Sequence, residues 1–220
     1  MKLKSFGCSF IFGSELTDAG YNRPFAHHSS STWPALLAKD LNYNYQCYAR
    51  PGAGNLQIAE QVLSQTAHNE HALFVIGWTW IDRFDYVVGD KNTWQTILPV
   101  DQTPEADFYY RNLHSQLRDK LSSLMSIKLT IDTLLQKKFP FVMTYMDDLL
   151  FETQWHNPPA VADMQRYIRP YMTDFDGKNF LEWSRDQKFE ITPASHPLES
   201  AHQAAFEYMK SQPNVIRQQL

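Results

Sequence analysis

Five short stretches of this sequence hold residue types suited to nucleophilic chemistry. Gly7-Cys8-Ser9-Phe10 offers a hydroxyl and Ser195-His196-Pro197 an imidazole. Arg50-Pro51-Gly52-Ala53-Gly54-Asn55 is a glycine turn that opens a helix, and Gly77-Trp78-Thr79 and Asp147-Asp148 are polar stops after apolar runs. A serine hydroxyl is a weak nucleophile until a base takes its proton. Neutral imidazole accepts a proton near pH 7, which makes His196 the candidate base for Ser9. Backbone N–H groups at Ser9 and Gly52 are candidates for an oxyanion hole, and the glycine lets backbone approach a substrate closely. Pro197 at a first helical position would put His196 at the N-cap.

The elements that must position these residues can be read from periodicity. Residues 2–7, 44–49, 72–77 and 141–146 read as strands, the third as the continuous apolar run Ala-Leu-Phe-Val-Ile-Gly. Helical spacing covers 33–41, with Thr32 as cap and Pro34 in the first turn. It also covers a stretch capped by Asn55 (Ile58, Ala59, Val62, Leu63, Thr66), a long stretch near 111–138 (Leu113 to Leu134), and a last helix from Pro197. Alternating apolar strands and helices predict a three-layer α/β/α sandwich on a central parallel sheet, one domain over residues 1–220. Residues 80–110 and 147–192 are too long for simple connections and read as insertions. Four of the reactive stretches follow strands and the fifth precedes the last helix. They converge on the edge where open α/β sheets bind ligands.

Other residues have plainer readings. Cys8 is a conceivable thiol nucleophile, but strand alternation points it away from Ser9, and a free cysteine usually packs as a small hydrophobe. Asp147-Asp148 reads as a solvated loop start. His27-His28 and His68 with His71 have ligand-like spacing, yet no cysteine or carboxylate set completes a metal site. No cofactor is expected. His202 reads as a structural residue on the polar side of the last helix. Arg83, between Asp82 and Asp85, suits a substrate carboxylate or a surface ion pair. The aromatics from Trp78 to Tyr110 suit either a sugar-stacking lid or the core of a small subdomain.

Composition removes other classes. Twenty Lys+Arg against 24 Asp+Glu give a net charge of −4, with no basic excess for a nucleic-acid backbone. No apolar run approaches the roughly 20 residues of a membrane span, and the N-terminus lacks the apolar stretch of a signal peptide. Two cysteines make no disulfide framework, so a reducing, cytoplasmic setting is expected.

Gly-Cys-Ser-Phe-Ile-Phe-Gly (7–13), Pro-Gly-Ala-Gly-Asn (51–55), Val-Ile-Gly-Trp-Thr (75–79) and Ser-His-Pro-Leu-Glu-Ser-Ala-His (195–202) resemble, in order, the sequence blocks of the SGNH/GDSL hydrolase superfamily. More narrowly, the chain resembles the divergent SGNH-like proteins of bacteriophage genomes, which would place it in host cytoplasm. The resemblance implies an ester hydrolase working through an acyl-enzyme on Ser9, with His196 as base and Ser9 and Gly52 as oxyanion donors. The chain departs from the family at three places. Cys8 stands where an acidic residue is usual. Trp78 or Thr79 stands where an asparagine donor is usual, with Thr79 or Asn55 as replacements. Pro193 stands where the catalytic aspartate is usual. A Ser–His dyad, a backbone carbonyl, Glu190 or Asp147 remain as substitutes for that aspartate. The expected partner is a small-molecule or carbohydrate ester, such as an O-acetyl sugar. The rival expectation is a catalytically impaired binding or phage assembly protein that kept the fold. A weaker third reading is a flavodoxin-like nucleotide or flavin binder, which lacks a phosphate-loop motif.

Overall fold

The computed structural model describes residues 1–20, 27–68, 70–89 and 93–212. Four parallel strands form the central sheet: β1 (Lys2–Phe6), β2 (Asn44–Cys47), β3 (Ala72–Trp78) and, far along the chain, a strand at Phe141–Tyr145. Three lie within stretches read as strands from the sequence, and β3 runs one residue past its stretch, to Trp78. The spatial order is β2, β1, β3 and then Phe141–Tyr145. The chain leaves β1 to one side and returns across it to reach β3. The order therefore reverses beside β1, and the loop carrying Ser9 leaves the sheet at that switch point.

Side chains alternating along the strands feed two cores. Leu3, Leu73, Val75 and Val142 face one core, completed by Trp33 and Leu37 of a helix at Trp33–Asp40 and by Ala201, Ala205 and Met209 of the last helix. Phe6, Phe74, Ile76 and Met143 face the other, against Ile58 and Val62 of a helix at Asn55–Thr66 and Leu124, Ile127 and Ile131 of the long helix. A fully buried aliphatic side chain contributes about 1.5–3 kcal/mol, so these two layers hold the sheet. The α/β/α sandwich expected from the sequence is the observed architecture.

In chain order the helices are α1 (Ser9–Phe12), α2 (Trp33–Asp40), α3 (Asn55–Thr66), α4 (Pro104–Asn112), α5 (Gln116–Gln136), α6 (Pro159–Ile168), α7 (Phe180–Asp186) and α8 (Glu199–Lys210). Among the described residues, none is long and apolar enough to cross a membrane.

Several boundaries differ from expectation. The helix read over 111–138 is two helices, because Ser115 turns its side chain to accept the Arg118 N–H and caps α5. Leu113 falls between the two and is exposed. The segment 80–110 is not irregular. It holds an antiparallel hairpin, β4 (Phe84–Val88) with β5 (Thr93–Ile97), and then α4, and the strand at Phe141–Tyr145 becomes β6. Phe84, Tyr86, Tyr109 and Tyr110 pack with Ile97 and Ala106 into a small core of their own, so these aromatics fill a subdomain. The segment 147–192 carries α6, packed on α5, and α7. The last helix starts at Glu199 with Leu198 as its cap, not His196. Pro197 instead pairs with Ile191, and the Leu198 N–H donates to the Glu190 carbonyl, which holds residues 190–198 in a narrow turn.

Candidate active site

The turn after β1 is tightly determined. Gly7 has φ +153°, and a Cβ there would sit 2.9 Å from the Gly77 carbonyl and 2.6 Å from Ile11 Cγ1. Only glycine lets the ends of β1 and β3 lie this close. The chain then enters α1 at once, with Ser9 as its first residue and largely buried. N–H groups in a first helical turn have no intrahelical carbonyl, so the Ser9 N–H is available to an incoming oxygen. Cys8 is buried within the core shared with α2 and α8, as strand alternation implied.

His196 reaches this turn from the other end of the chain. The Thr192 N–H donates to the His196 carbonyl at 3.0 Å, and the His196 N–H donates back to Thr192 Oγ1 at 3.2 Å. Ser195 between them takes a left-handed φ of +67°. The imidazole packs edge-on against the Phe10 ring at 5.3 Å, on the residue that follows Ser9. Trp80 packs on the same Phe10 ring at 5.5 Å. Among the described residues, no hydrogen bond joins Ser9 Oγ to His196.

A carboxylate does meet the imidazole, and sequence reasoning missed it. Glu15 Oε2 lies 2.5 Å from His196 Nδ1 and accepts from Thr192 Oγ1 at 2.6 Å. The Thr192 hydroxyl first, and then His196, hold the Glu15 carboxyl below its usual range. Glu15 itself sits at a left-handed φ of +68°, which turns its side chain back toward the 190–198 loop. Of the acids considered from the sequence, Asp147 has its carboxylate committed elsewhere. Asp147 accepts the Ile81 and Leu149 N–H groups, each at 2.9 Å, and burial raises its pKa. Glu190 holds Leu198 through its backbone carbonyl.

The second and third blocks are placed with different duties from those expected. Gly52 has φ +83° with open space above it, and the neighbouring Arg50 N–H donates to the Gly7 carbonyl at 2.9 Å. The two turns are thus joined. Asn55 is not the cap of α3 and is not a free donor. Its Oδ1 accepts from the Thr79 N–H at 2.9 Å, and its Nδ2 donates to the Thr79 carbonyl and to Ser123 Oγ, both at 3.1 Å. A buried amide facing a backbone amide satisfies both, so this pair ties α3 to the end of β3. Among the described residues, the Thr79 hydroxyl and Trp78 Nε1 are buried without partners. Among the described residues, Arg83 forms no ion pair. It donates to the Ala53 carbonyl at 2.9 Å and stacks on Trp80 at 4.9 Å, bracing the glycine turn.

The N-terminus of α3 is filled by the protein itself. Asp85, from β4, accepts the Gly54 and Gln57 N–H groups, both at 2.9 Å, and the Thr96 hydroxyl at 2.6 Å. A Cβ on Gly54 would lie 2.5 Å from that carboxylate. The turn that might have held a phosphate therefore holds an aspartate, against the nucleotide-binding reading. Among the described residues, no group of three or more potential metal ligands is gathered.

No protein-family model and no curated protein sequence matches the chain. Solved structures do. A member of the lipolytic G-D-S-L family from Veillonella parvula matches with a TM-score of 0.52 and 11% identity, over 96% of each chain. The chain has an SGNH-hydrolase-like fold. TesA matches this SGNH-like chain with a TM-score of 0.53 and 13% identity over 99% of both. A family two carbohydrate esterase from Clostridium thermocellum gives a TM-score of 0.53 and 13% identity, over 96% of this chain and 62% of its own. The resemblance read from four short blocks thus holds at the level of architecture.

Proposed function

We propose that this protein is a serine ester hydrolase of SGNH type. The observation that supports it best is the seating of His196 on Phe10, beside Ser9, at the switch point of the sheet. In the reaction, Ser9 Oγ attacks the acyl carbon as His196 takes its proton. The oxyanion collects at the Ser9 and Gly52 N–H groups. His196 returns the proton to the leaving alkoxide, and water, deprotonated by the same ring, releases the acid and frees Ser9. The Asn55 amide is spent on the Thr79 backbone and the Thr79 hydroxyl is fully buried, so the hole is short of a side-chain donor. A missing donor typically costs 10²–10³ in rate, and turnover is expected to be slow. A carbohydrate O-acetyl ester is the proposed substrate class, supported by Trp80 packed on the same Phe10 ring as His196 and by one structural neighbour being a carbohydrate esterase.

A binding role in a protein that has lost turnover is the second reading. The missing Ser9–His196 hydrogen bond and the committed Asn55 favour it. Exposure to a fluorophosphonate probe and a short-chain p-nitrophenyl ester separates the two. Labelling on Ser9, absent in Ser9→Ala and reduced by roughly 10³-fold or more in His196→Ala, is the expected result. A folded protein with neither labelling nor turnover means the binding reading is correct.

A further inference from the structure

We infer that Glu15 is the positioning residue for His196, holding the ring through Nδ1 in place of the aspartate that Pro193 displaces. The inference deepens the hydrolase reading above and rests on it for its catalytic meaning.

An ionised carboxylate only accepts hydrogen bonds. Glu15 Oε2 lies 2.5 Å from Nδ1, so Nδ1 carries a proton, and the neutral tautomer compatible with that contact has its lone pair on Nε2. That is the tautomer a base for Ser9 requires. The second hydrogen bond to Oε2, from Thr192 at 2.6 Å, fixes the carboxylate, and Thr192 also binds the His196 backbone. One threonine thus orients both partners. Two backbone features converge on the same contact. Glu15 and Ser195 are both non-glycine residues at left-handed φ, +68° and +67°, one beside each partner. Such conformations carry a cost and persist where surrounding contacts enforce them. Among the described residues, the buried His202 on α8 feels the charge of His196 and that of Glu199, whose carboxylate is occupied by the Thr17 N–H and hydroxyl. Among the described residues, neither is hydrogen-bonded to His196.

Three variants test the assignment. Glu15→Gln keeps the shape and removes the charge, Glu15→Ala removes both, and Glu15→Asp keeps the charge on a shorter arm. Glu15 is partly exposed, so all three are expected to fold, which circular dichroism checks. The expected result is a fall in kcat of about 10²-fold or more in Gln and Ala, with KM nearly unchanged and partial recovery in Asp. Imidazole NMR of the parent should show a downfield Nδ1–H proton on His196 that disappears in Glu15→Ala. Unchanged kcat together with unchanged ring resonances would overturn the assignment. If the parent itself shows no turnover, the hydrolase reading falls, and the NMR arm alone decides whether Glu15 holds the ring.

Discussion

Lowering the pH from 7 to 5 should cost the protein about 2 kcal/mol of stability through His202 alone. His202 is fully buried, stacks at 5.0 Å on Phe180, and accepts the Trp33 N–H on Nδ1 at 3.3 Å. Burial first, then the charge of His196, holds its pKa down to about 3, with Glu199 opposing. The unfolded chain returns it to about 6.5. Between those values the unfolded state binds one proton more than the folded state, so stability falls as pH falls, by about 1.4 kcal/mol per unit. Above pH 6.5 the term is fully present. Carboxylates titrate in the same range, so the clean comparison is with His202→Asn, whose oxygen can replace Nδ1 as acceptor for Trp33. The variant loses ring packing and is less stable at pH 7. Urea unfolding should show the gap between the two proteins closing by about 2 kcal/mol at pH 5. A gap of constant size would mean that His202 protonates within the fold.

The second large effect belongs to Asp85. Asp85→Ala strips acceptors from the Gly54 and Gln57 N–H groups and the Thr96 hydroxyl at once. These donors are buried or half-buried, and each left unmet costs about 1–3 kcal/mol. A total near 3 kcal/mol is expected, read as a shift in denaturant midpoint. Asp85→Asn should lose less, since one oxygen still accepts. The hairpin should also loosen, because Asp85 is the residue that ties β4 to α3. Hydrogen exchange at 84–88 and 93–97 would then rise before the rest of the sheet. A loss below about 1 kcal/mol would mean that water replaces the carboxylate at the helix end.

The two cases show what the sequence could and could not convey. Strands buried on both faces announce themselves as apolar runs, which is why Ala72–Trp78 and Phe141–Tyr145 were legible. The β4–β5 hairpin was not, because its pattern is inverted. Asp85 faces inward while Val87 and Val88 face solvent. His202 was assigned to the polar side of α8 because periodicity scores a histidine as polar. Its burial depends on Trp33, 169 positions away. Asn55 looked like a helix cap by type, but the acceptor at that helix end comes from β4. Ser9, His196 and Gly52 stand out in the sequence because Gly7 lies two residues before the serine and a proline adjoins each of the other two. Glu15 carried no such mark. It is an unremarkable acid in a loop, and its partner is 181 residues away.

That separation has a consequence for how the site comes into being. The serine lies in the first ten residues, and the base in the turn at 190–198. A chain emerging from the ribosome completes β1, β2 and β3, with Ser9 already in its turn, long before the imidazole exists. Closing so wide a loop carries an entropic cost that only the finished core repays. The Glu15–His196 contact and the Thr17–Glu199 contact beside it join the two ends of the folded body. Assembly of the site is therefore a late event in folding. Under the proposed function, unfinished or truncated chains would present a lone serine, chemically inert, and reactivity would arrive together with structural completion.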